Sequence, residues 1–225
     1  MKLSVILSVY NDVKHIEKSI KSILNQSFKD FELLVMDDAS TDGTAEVLYM
    51  LAKQDKRISV YRNDENLGLT KSLNILIEKS QGEYIARHDS DDISLPNRFD
   101  EQLIYLIKYK VDGVTSRSLI KKNKRIIPGF KFYIPKKLIL KFKNPHIHGT
   151  LMIKKSVLNE IGNYDEKFYF AQDYKLFIDL NNSNYKIKQI RKPLYILNTS
   201  ENISSKFSEK QKYFADCAKK NINPK

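Results

Sequence analysis

The sequence predicts an α/β protein with a mainly parallel sheet and helices on both of its faces. Two observations lead to this prediction. Apolar runs of strand length alternate with amphipathic segments of helix length through about the first 90 residues, and such alternation is typical of strand–helix–strand crossover units. The composition also fits one domain with a substantial core, because 41% of the 225 residues are hydrophobic and 29% are charged.

The first half of the chain carries the clearest pattern. Strands are predicted where apolar residues cluster between turn residues, at residues 3–9, 31–36, 58–61 and 84–86. Helices are predicted where apolar residues recur at spacings of three and four, around residues 16–24, 47–51, 69–80 and 98–110. Asn11 or Asp12 is predicted to cap the first helix, because short polar side chains accept hydrogen bonds from the free N–H groups of a helix.

The pattern weakens after Pro96. Residues 114–150 are predicted to be irregular, since three prolines interrupt any long element there. Shorter elements are predicted further on, namely a strand at residues 151–153 and helices at residues 155–161, 173–180 and 209–220. Because no internal repeat and no linker rich in Gly or Ser divides the chain, we expect a single domain.

The charge is divided unevenly along the chain. Residues 1–112 carry 15 Lys and Arg against 19 Asp and Glu, a net charge of −4, whereas residues 113–225 carry 24 against 8, a net charge of +16. A basic half of this kind suits nucleic acid, an anionic membrane or a phosphate-bearing small molecule. A compositional bias towards Lys explains the charge equally well.

The sequence also indicates a cellular compartment. Its single cysteine, Cys217, cannot form a disulfide within the chain, which favours a reducing environment. No run of about 18 apolar residues is present, as a membrane-spanning helix would require. We therefore expect a cytoplasmic protein.

Acidic or polar residues cluster where three of the predicted strands end. The first cluster is residues 8–12 (SVYND), at the end of the first strand. Asp37 and Asp38 follow the second strand, and Asp89, Asp91 and Asp92 follow the fourth. Ligands of open α/β sheets bind at the carboxyl ends of the strands, and oxygen ligands at this density suit Mg²⁺ or Mn²⁺. The alternative is that these are acidic turns that cap the helices after them.

Several segments resemble family 2 glycosyltransferases when taken together and in order. In the first half they are residues 5–11 (VILSVYN), 22–32 (SILNQSFKDFE), 35–43 (VMDDASTDG) and 82–98 (GEYIARHDSDDISLPNR), the last of which resembles the family's DxD segment. In the second half they are residues 144–148 (NPHIH), 162–166 (GNYDE), 171–175 (AQDYK) and 202–204 (NIS). The resemblance covers about residues 3–205.

The resemblance implies a GT-A fold, in which a Rossmann-like, nucleotide-binding sheet is fused to an acceptor-binding half within one domain. Applied to this chain, the glycosyltransferase domain covers residues 1–205. Residues 1–112 form its nucleotide-sugar-binding half, residues 113–205 form its acceptor-binding half, and residues 206–225 form a basic C-terminal tail.

The resemblance also implies roles for individual residues. Ser8, Tyr10 and Asp38 correspond to the residues that hold the nucleobase, although many members have Pro at the position of Ser8. Asp89 corresponds to a ribose and metal contact, and Asp91 to the more direct ligand of a divalent Mn²⁺ or Mg²⁺.

Three further positions complete the implied site. Asp173 corresponds to the general base, with Gln172 where relatives usually have Glu. His148 is similar to a histidine on the acceptor side, although a buried structural histidine is an equal interpretation. Asp92 is predicted to cap a helix, and His88 and His146 have no assigned role.

The implied function is inverting, metal-dependent transfer of a sugar from a nucleotide-diphosphate sugar, usually UDP-linked in the family. The acceptor is a hydroxyl of a glycan or lipid-linked glycan, in the synthesis of cell-surface polysaccharide or lipooligosaccharide. A peripheral contact of the basic half with an anionic membrane, at its inner face, is also predicted.

Two other classes of function compete with this interpretation. A basic nucleic-acid-binding module would use the Phe and Tyr residues that alternate with Lys in residues 130–143, but no recognition motif accompanies them. A nucleotidyltransferase would carry a glycine-rich phosphate loop after its first strand, and residues 10–14 contain no glycine.

Overall fold

A nine-stranded mixed sheet forms the centre of the computed structural model, which describes residues 2–199 and 207–224. Its strands are β1 (Leu3–Val9), β2 (Phe31–Asp37), β3 (Ile58–Arg62), β4 (Tyr84–Arg87), β5 (Ile93–Ser94), β6 (Gly113–Ile120), β7 (Ile126–Ile127), β8 (Met152–Lys154) and β9 (Ile187–Leu197). Their spatial order is β3-β2-β1-β4-β8-β6-β9-β5, with β7 paired to β6.

The helices connect these strands and cover both faces of the sheet. They are α1 (Ile16–Leu24), α2 (Thr44–Gln54), α3 (Leu69–Lys79), α4 (Arg98–Tyr109), α5 (Lys136–Leu140), α6 (Lys155–Glu160), α7 (Gln172–Asn182) and α8 (Ser208–Lys220). Two short 3₁₀ helices lie at Phe130–Tyr133 and His148–Thr150. None of the helices within the described ranges combines the length and hydropathy needed to cross a membrane.

The prediction of a mainly parallel α/β unit in the first half is confirmed. Strand β1 pairs in parallel with both β2 and β4, and β2 pairs in parallel with β3. The four strands and the helices between them lie within a few residues of their predicted bounds. As a result, the carboxyl ends of β1, β2 and β4 lie side by side at one edge of the sheet.

Alternation along the strands divides the core between the two faces. Leu3, Val5 and Leu7 of β1 belong to a cluster that contains the buried sides of α1, α2 and α4. Ile6 of β1 belongs to a second cluster, on the other face, that contains buried residues of α3, α6, α7 and α8. Helix α8 contributes Cys217 to this second cluster, so the C-terminal helix packs into the core.

The prediction that residues 114–150 are irregular is wrong for strand β6. This strand is buried over most of its length, but its buried positions include Thr115, Ser116 and Ser118 rather than an apolar run. The strand forms because it pairs with β8 and β9, which are distant in sequence. Strand β9 was not predicted either.

Strands from both predicted halves share hydrogen bonds. Strand β4 pairs with β8, and the short strand β5 pairs with β9. The sheet is therefore continuous across residue 112. The assignment of one half to the nucleotide sugar and of the other to the acceptor stays a prediction. The motif at residues 202–204, together with residue 206 of the predicted tail, lies outside the described residues.

Candidate active site

The loops that follow β1 and β2 are tied to each other. Asn11 has a φ of 50°, and its side-chain oxygen accepts a hydrogen bond from the Thr41 N–H at 2.8 Å. Its own N–H donates to the Ser40 hydroxyl at 2.9 Å. The neighbouring Tyr10 is left 51% exposed at the end of β1, while Ser8 is buried within the strand. An exposed tyrosine at this edge is available to stack on a ligand.

Two buried carboxylates, Asp37 at the end of β2 and Asp38 directly after it, each accept two or more hydrogen bonds. Asp37 accepts a hydrogen bond from the Ser40 N–H and pairs with Arg62 at 2.7 Å. Asp38 organises the loop that follows β3, because it accepts from the Asn63 amide at 2.7 Å and from the N–H groups of Leu67 and Gly68, both at 2.9 Å.

Asp38 retains limited capacity for a ligand. A carboxylate offers about four lone-pair directions, and three are taken by the loop, at a side chain that is only 3% exposed. The nucleobase contact of Asp38 stays a prediction, and its structural role is to hold the loop between β3 and α3.

The acidic turn after β4 is held in place through its main chain. The Asp89 N–H donates to the Tyr195 hydroxyl at 3.0 Å, and the Asp89 carbonyl accepts from the Ser19 hydroxyl at 3.0 Å. The Asp89 carboxylate pairs with the guanidinium of the buried Arg87. This turn therefore presents its carboxylates from a fixed backbone.

Asp91 lies in a strongly acidic environment. Burial, followed by the negative charges of Asp89 and Asp12, raises the pKa of Asp91 to about 6. Asp12 is itself fixed by the Ser90 hydroxyl and by the His15 ring, both at 2.6 Å. The loop after β1 and the turn after β4 thus bring their carboxylates together, as the strand order predicts.

The predicted capping roles of three residues are corrected by the structure. Asp92 caps no helix, since α4 begins only at Arg98, and its carboxylate instead accepts a hydrogen bond from the Asn198 N–H at 2.6 Å. His15 occupies the N-cap position of α1, so neither Asn11 nor Asp12 is the cap. The reason in both cases is that the turn continues for several residues before the next helix starts.

The buried guanidinium of Arg98 contacts two of the residues that hold the turn after β4 in place. The side chain of Arg98 is fully buried, donates to the Arg87 carbonyl at 2.8 Å and lies over the Tyr195 ring. Burial lowers the pKa of Arg98 to about 10, so it remains protonated at neutral pH. The sequence pattern indicates no role for Arg87, Arg98 or Tyr195, although Arg87 lies at the end of a predicted strand, where ligands of such sheets bind.

Asp173 lies at the start of α7 with one strong partner. The Asn144 amide donates to its carboxylate at 2.6 Å. Burial is the main cause that raises the pKa of Asp173, and the charge of Asp89 raises it further. Residues 144–149 link the predicted base to the predicted DxD turn, because Asn144 bonds to Asp173 and Gly149 packs against the Asp89 side chain. Asn144 was part of a recognised motif but had no predicted role.

The segment around His148 closes this site. His148 Nε2 forms a hydrogen bond with the Tyr164 hydroxyl at 2.7 Å. Burial lowers the pKa of His148 well below its ordinary range, so the ring is neutral. The next residue, Gly149, packs against the side chains of Asp89 and Tyr195. His146, which has no assigned role in the sequence, stacks on Phe177 of α7.

The residues present fit a divalent cation that is shared with a ligand. No group of three or more His, Cys, Asp or Glu in the described ranges is arranged to hold a metal ion alone. Mg²⁺ and Mn²⁺ need only one or two carboxylates when phosphate oxygens and water complete the shell. The mutual repulsion that raises the pKa of Asp91 would be relieved by such a cation.

Gly149→Ala tests how closely this segment must approach the acidic turn. A Cβ at position 149 would lie 2.7 Å from the Tyr195 hydroxyl oxygen and closer still to the Asp89 carboxylate. We expect a loss of about 1–3 kcal/mol in the free energy of unfolding, because both groups are held by the packed turn. Denaturant titration measures it. Gly129→Ala is the control, since no atom lies within 4 Å of its Cβ position, and an equal effect of the two changes would contradict the expectation.

The fold is of the GT-A type, with carboxylates at the strand ends of an α/β sheet. A family model described as glycosyl transferase family 2 matches residues 4–162. The chain belongs to this family.

Two curated relatives support the assignment. The putative glycosyltransferase EpsE of Bacillus subtilis is 35% identical over 170 residues, which make up 72% of this chain and 60% of EpsE. The O-antigen biosynthesis glycosyltransferase WbnJ of Escherichia coli is 35% identical over 184 residues, which make up 80% of this chain and 72% of WbnJ. The chain thus spans well under the full length of EpsE.

Solved structures confirm the GT-A fold. The structure of S. aureus TarS 1–349 in complex with UDP-GlcNAc superposes with a TM-score of 0.77 at 23% identity, covering 90% of this chain and 60% of that one. The structure of the mannosyltransferase PcManGT from Pyrobaculum calidifontis, in complex with GDP-Man and Mn²⁺, superposes with a TM-score of 0.68 at 20% identity, covering 90% of this chain and 57% of that one.

Proposed function

We propose that this domain transfers a sugar, with inversion, from a nucleotide-diphosphate sugar to a hydroxyl group of a glycan or lipid-linked glycan. The observation that carries the proposal is that residues 144–149 contact both Asp173, through the Asn144 amide, and the side chain of Asp89, at Gly149. Burial, and after it the negative charges of Asp173 and Asp89, raise the pKa of the nearby Tyr164 above its ordinary value. A proton acceptor and a cation-attracting group in one cleft are what transfer from a diphosphate requires.

The donor is proposed to bind along the carboxyl ends of β1, β2 and β4. Tyr10 stacks on the base, Ser8 and Asp38 approach its polar edge, and Asp89 contacts the ribose. We propose a UDP-linked donor, and the TarS structure with UDP-GlcNAc supports it. The PcManGT structure with GDP-Man makes a GDP-linked donor the natural second choice for testing.

Asp91 and Asp89 are the residues that would hold a Mn²⁺ or Mg²⁺ ion. When bound, the cation offsets the negative charge that grows on the departing diphosphate. The turn contributes fixed geometry, because its backbone is tied to Tyr195 and Ser19. The Mn²⁺ in the PcManGT structure supports this assignment.

The chemical step is proposed to use Asp173 as general base. The acceptor hydroxyl oxygen forms a bond to the anomeric carbon while the bond from that carbon to the diphosphate oxygen breaks. The hydroxyl proton passes to the Asp173 carboxylate, and the leaving diphosphate keeps the electron pair. Asn144 holds the carboxylate in place and favours its ionised form.

Relatives support an acceptor that belongs to the cell surface. WbnJ is described as an O-antigen biosynthesis glycosyltransferase, and the Bacillus subtilis relative TuaG as a putative teichuronic acid biosynthesis glycosyltransferase. We therefore propose a role in cell-surface polysaccharide synthesis, with the domain in the cytoplasm, where nucleotide sugars are made available to such enzymes.

A panel of nucleotide sugars tests the proposal directly. UDP-, GDP- and dTDP-linked sugars are incubated with the protein and Mn²⁺, and release of the nucleotide diphosphate is measured with and without oligosaccharide acceptors. We expect release from one nucleotide class, its loss on chelation and its return with added Mn²⁺. Absence of release from every donor, with protein that is folded by circular dichroism, would contradict the proposal.

Tyr10→Ala tests the stacking role. Loss of an aromatic ring against a base weakens binding by about 5- to 100-fold, whereas the half-exposed ring contributes little to the core. The dissociation constant of UDP with Mn²⁺ is measured by calorimetry. Tyr49→Ala is a matched control, because Tyr49 is 46% exposed on α2, and equal affinities of the two variants would count against the stacking role.

A further inference from the structure

A surface outside the candidate active site is formed by residues that lie in the sequence between β7 and Asn144. Four large apolar side chains there are highly exposed: Phe130 at 83%, Phe142 at 74%, Tyr133 at 59% and Leu138 at 52%. Isolated exposed apolar residues are ordinary, but several within one short segment indicate an interaction site. We define the aromatic–basic surface as the exposed side chains of residues 130–143.

The charge of this surface has one sign. Residues 113–159 contain no Asp or Glu, whereas residues 121–143 alone contain nine Lys and Arg. Lys131, Lys137, Lys141 and Lys143 are exposed among the apolar side chains. Such a surface offers no internal partner for its positive charge, so an anionic partner complements it.

The aromatic–basic surface is an ordered part of the fold. Phe132, in the same segment, is only partly exposed, and its ring is contacted by Arg117 at 5.3 Å and by Lys136 at 4.8 Å. The Tyr174 hydroxyl of helix α7 donates to the Leu140 carbonyl, which ties α5 to the core. The exposed side chains are therefore presented by an anchored backbone.

The aromatic–basic surface also adjoins the proposed acceptor side of the active site. Lys143 is followed directly by Asn144, and the Asn144 amide bonds to Asp173 at 2.6 Å. A partner that seats on residues 130–143 therefore lies next to the proposed base.

We propose that the aromatic–basic surface binds the surface of an anionic lipid bilayer. The Phe, Tyr and Leu side chains enter the boundary between headgroups and acyl chains, and the lysines contact anionic headgroups, as in interfacial membrane anchors. Resting on the proposed function, this contact directs Asp173 towards an acceptor that is anchored in the bilayer.

The chemistry of the apolar residues favours a lipid over a nucleic acid. Nucleic-acid surfaces use aromatic rings for stacking on bases, but Leu138 and the partly exposed Ile134 are aliphatic and have no such use. Aliphatic and aromatic side chains together suit the acyl boundary of a membrane.

Vesicle flotation with the full chain tests the proposal. The probes are vesicles of phosphatidylcholine alone and vesicles that also contain phosphatidylglycerol. We expect the protein to float with the anionic vesicles only, and the floated fraction to fall as salt rises above physiological strength. Equal flotation with both vesicles, no flotation with anionic vesicles at low salt, or binding to single-stranded DNA without binding to anionic vesicles would overturn it.

Matched variants separate this surface from overall charge. Replacing Lys131, Lys137 and Lys141 by Gln is expected to weaken partitioning on the order of 100-fold, from about five-fold per lysine. The control replaces the exposed Lys53, Lys56 and Lys71 by Gln, which removes the same charge elsewhere. Similarly, Phe130→Ser with Phe142→Ser should reduce flotation, whereas Ile104→Ser with Ile107→Ser, on α4, should not. Equal effects of a variant and its control would overturn the proposal.

A transfer assay makes the two proposals distinguishable. The Lys131, Lys137 and Lys141 variant should retain nucleotide affinity and transfer to a soluble acceptor, and lose transfer to an acceptor incorporated in anionic vesicles. Flotation without any sugar transfer would leave the membrane contact standing and contradict the proposed function. Transfer to both acceptors without flotation would leave the function standing and overturn the membrane contact.

Discussion

Asp91→Asn is expected to remove most of the sugar-transfer activity while the protein stays folded. Asn keeps the size of the side chain but carries no charge, so it neither repels Asp89 and Asp12 nor holds a divalent cation well. Electrostatic stabilisation of a leaving group by a metal is worth several kcal/mol, which corresponds to a fall of roughly 10²- to 10³-fold in kcat. Steady-state transfer with Mn²⁺ measures the effect.

The same substitution has a predictable effect on stability. The folded-state pKa of Asp91 is about 6, above its ordinary value of 3.8, so the folded state binds this proton more tightly than the unfolded state. The ionised carboxylate therefore destabilises the fold at neutral pH, and stability from this group rises as pH falls from about 6 to about 4. Removing it is expected to raise the free energy of unfolding at neutral pH by about 1 kcal/mol, allowing for solvent screening.

Glu46→Gln provides the matched control for Asp91→Asn. It removes one negative charge from an exposed position in the first turn of α2, so it should leave transfer unchanged. Because a negative charge there favours the helix, the free energy of unfolding should fall by about 0.3–1 kcal/mol, opposite in direction to the effect of Asp91→Asn. Denaturant unfolding of both variants at neutral and mildly acidic pH separates the local effect from net charge. Near-normal, Mn²⁺-dependent transfer by the Asp91 variant would contradict the assignment of this residue to the metal.

The first half of the chain was predictable because its structure is locally encoded. The run that becomes β1 and the helical periodicity that becomes α1 each lie within one short window of sequence. Parallel pairing then places their carboxyl ends together without further information. For this reason the meeting of the Asp12 loop with the Asp91 turn followed from the order of elements.

The strands of the second half were less predictable, because they form by pairing with strands that are distant in sequence. Strand β6 buries Thr115 and Ser118, whose polar side chains hide the apolar pattern of a strand. Its partner β9 begins more than 60 residues later. Propensity has little influence where such long-range contacts supply the stabilisation.

Individual site residues show the same limit. Asp92 stands beside two carboxylates with predicted functions, yet its own carboxylate accepts a hydrogen bond from Asn198, 106 residues away. Asn144 contacts Asp173 across 29 residues. A sequence pattern identifies the chemical types that gather at a site, but it does not reveal which of them pair.

Asp173→Asn is expected to lower the rate of sugar transfer steeply while leaving donor binding almost unchanged. A general base contributes about 10²- to 10⁴-fold to the rate, and Asn cannot accept the acceptor's proton. The affinity for UDP with Mn²⁺ should be retained, because the proposed donor contacts come from the strand ends of the first half. Calorimetry and a transfer assay measure the two quantities, with Asp179→Asn, a carboxylate further along α7, as control.

The pH dependence of the wild-type enzyme gives an independent test of this base. Burial raises the pKa of Asp173 above its ordinary value of 3.8, so the active, ionised form is lost as pH falls through that raised value. Asn144→Ala removes the donor that stabilises the ionised carboxylate, and it should therefore move the acidic limb of the kcat profile to higher pH. Rate and nucleotide affinity that fall together in Asp173→Asn, or an acidic limb that Asn144→Ala leaves in place, would contradict the role of Asp173, because a base that serves only the acceptor separates binding from chemistry.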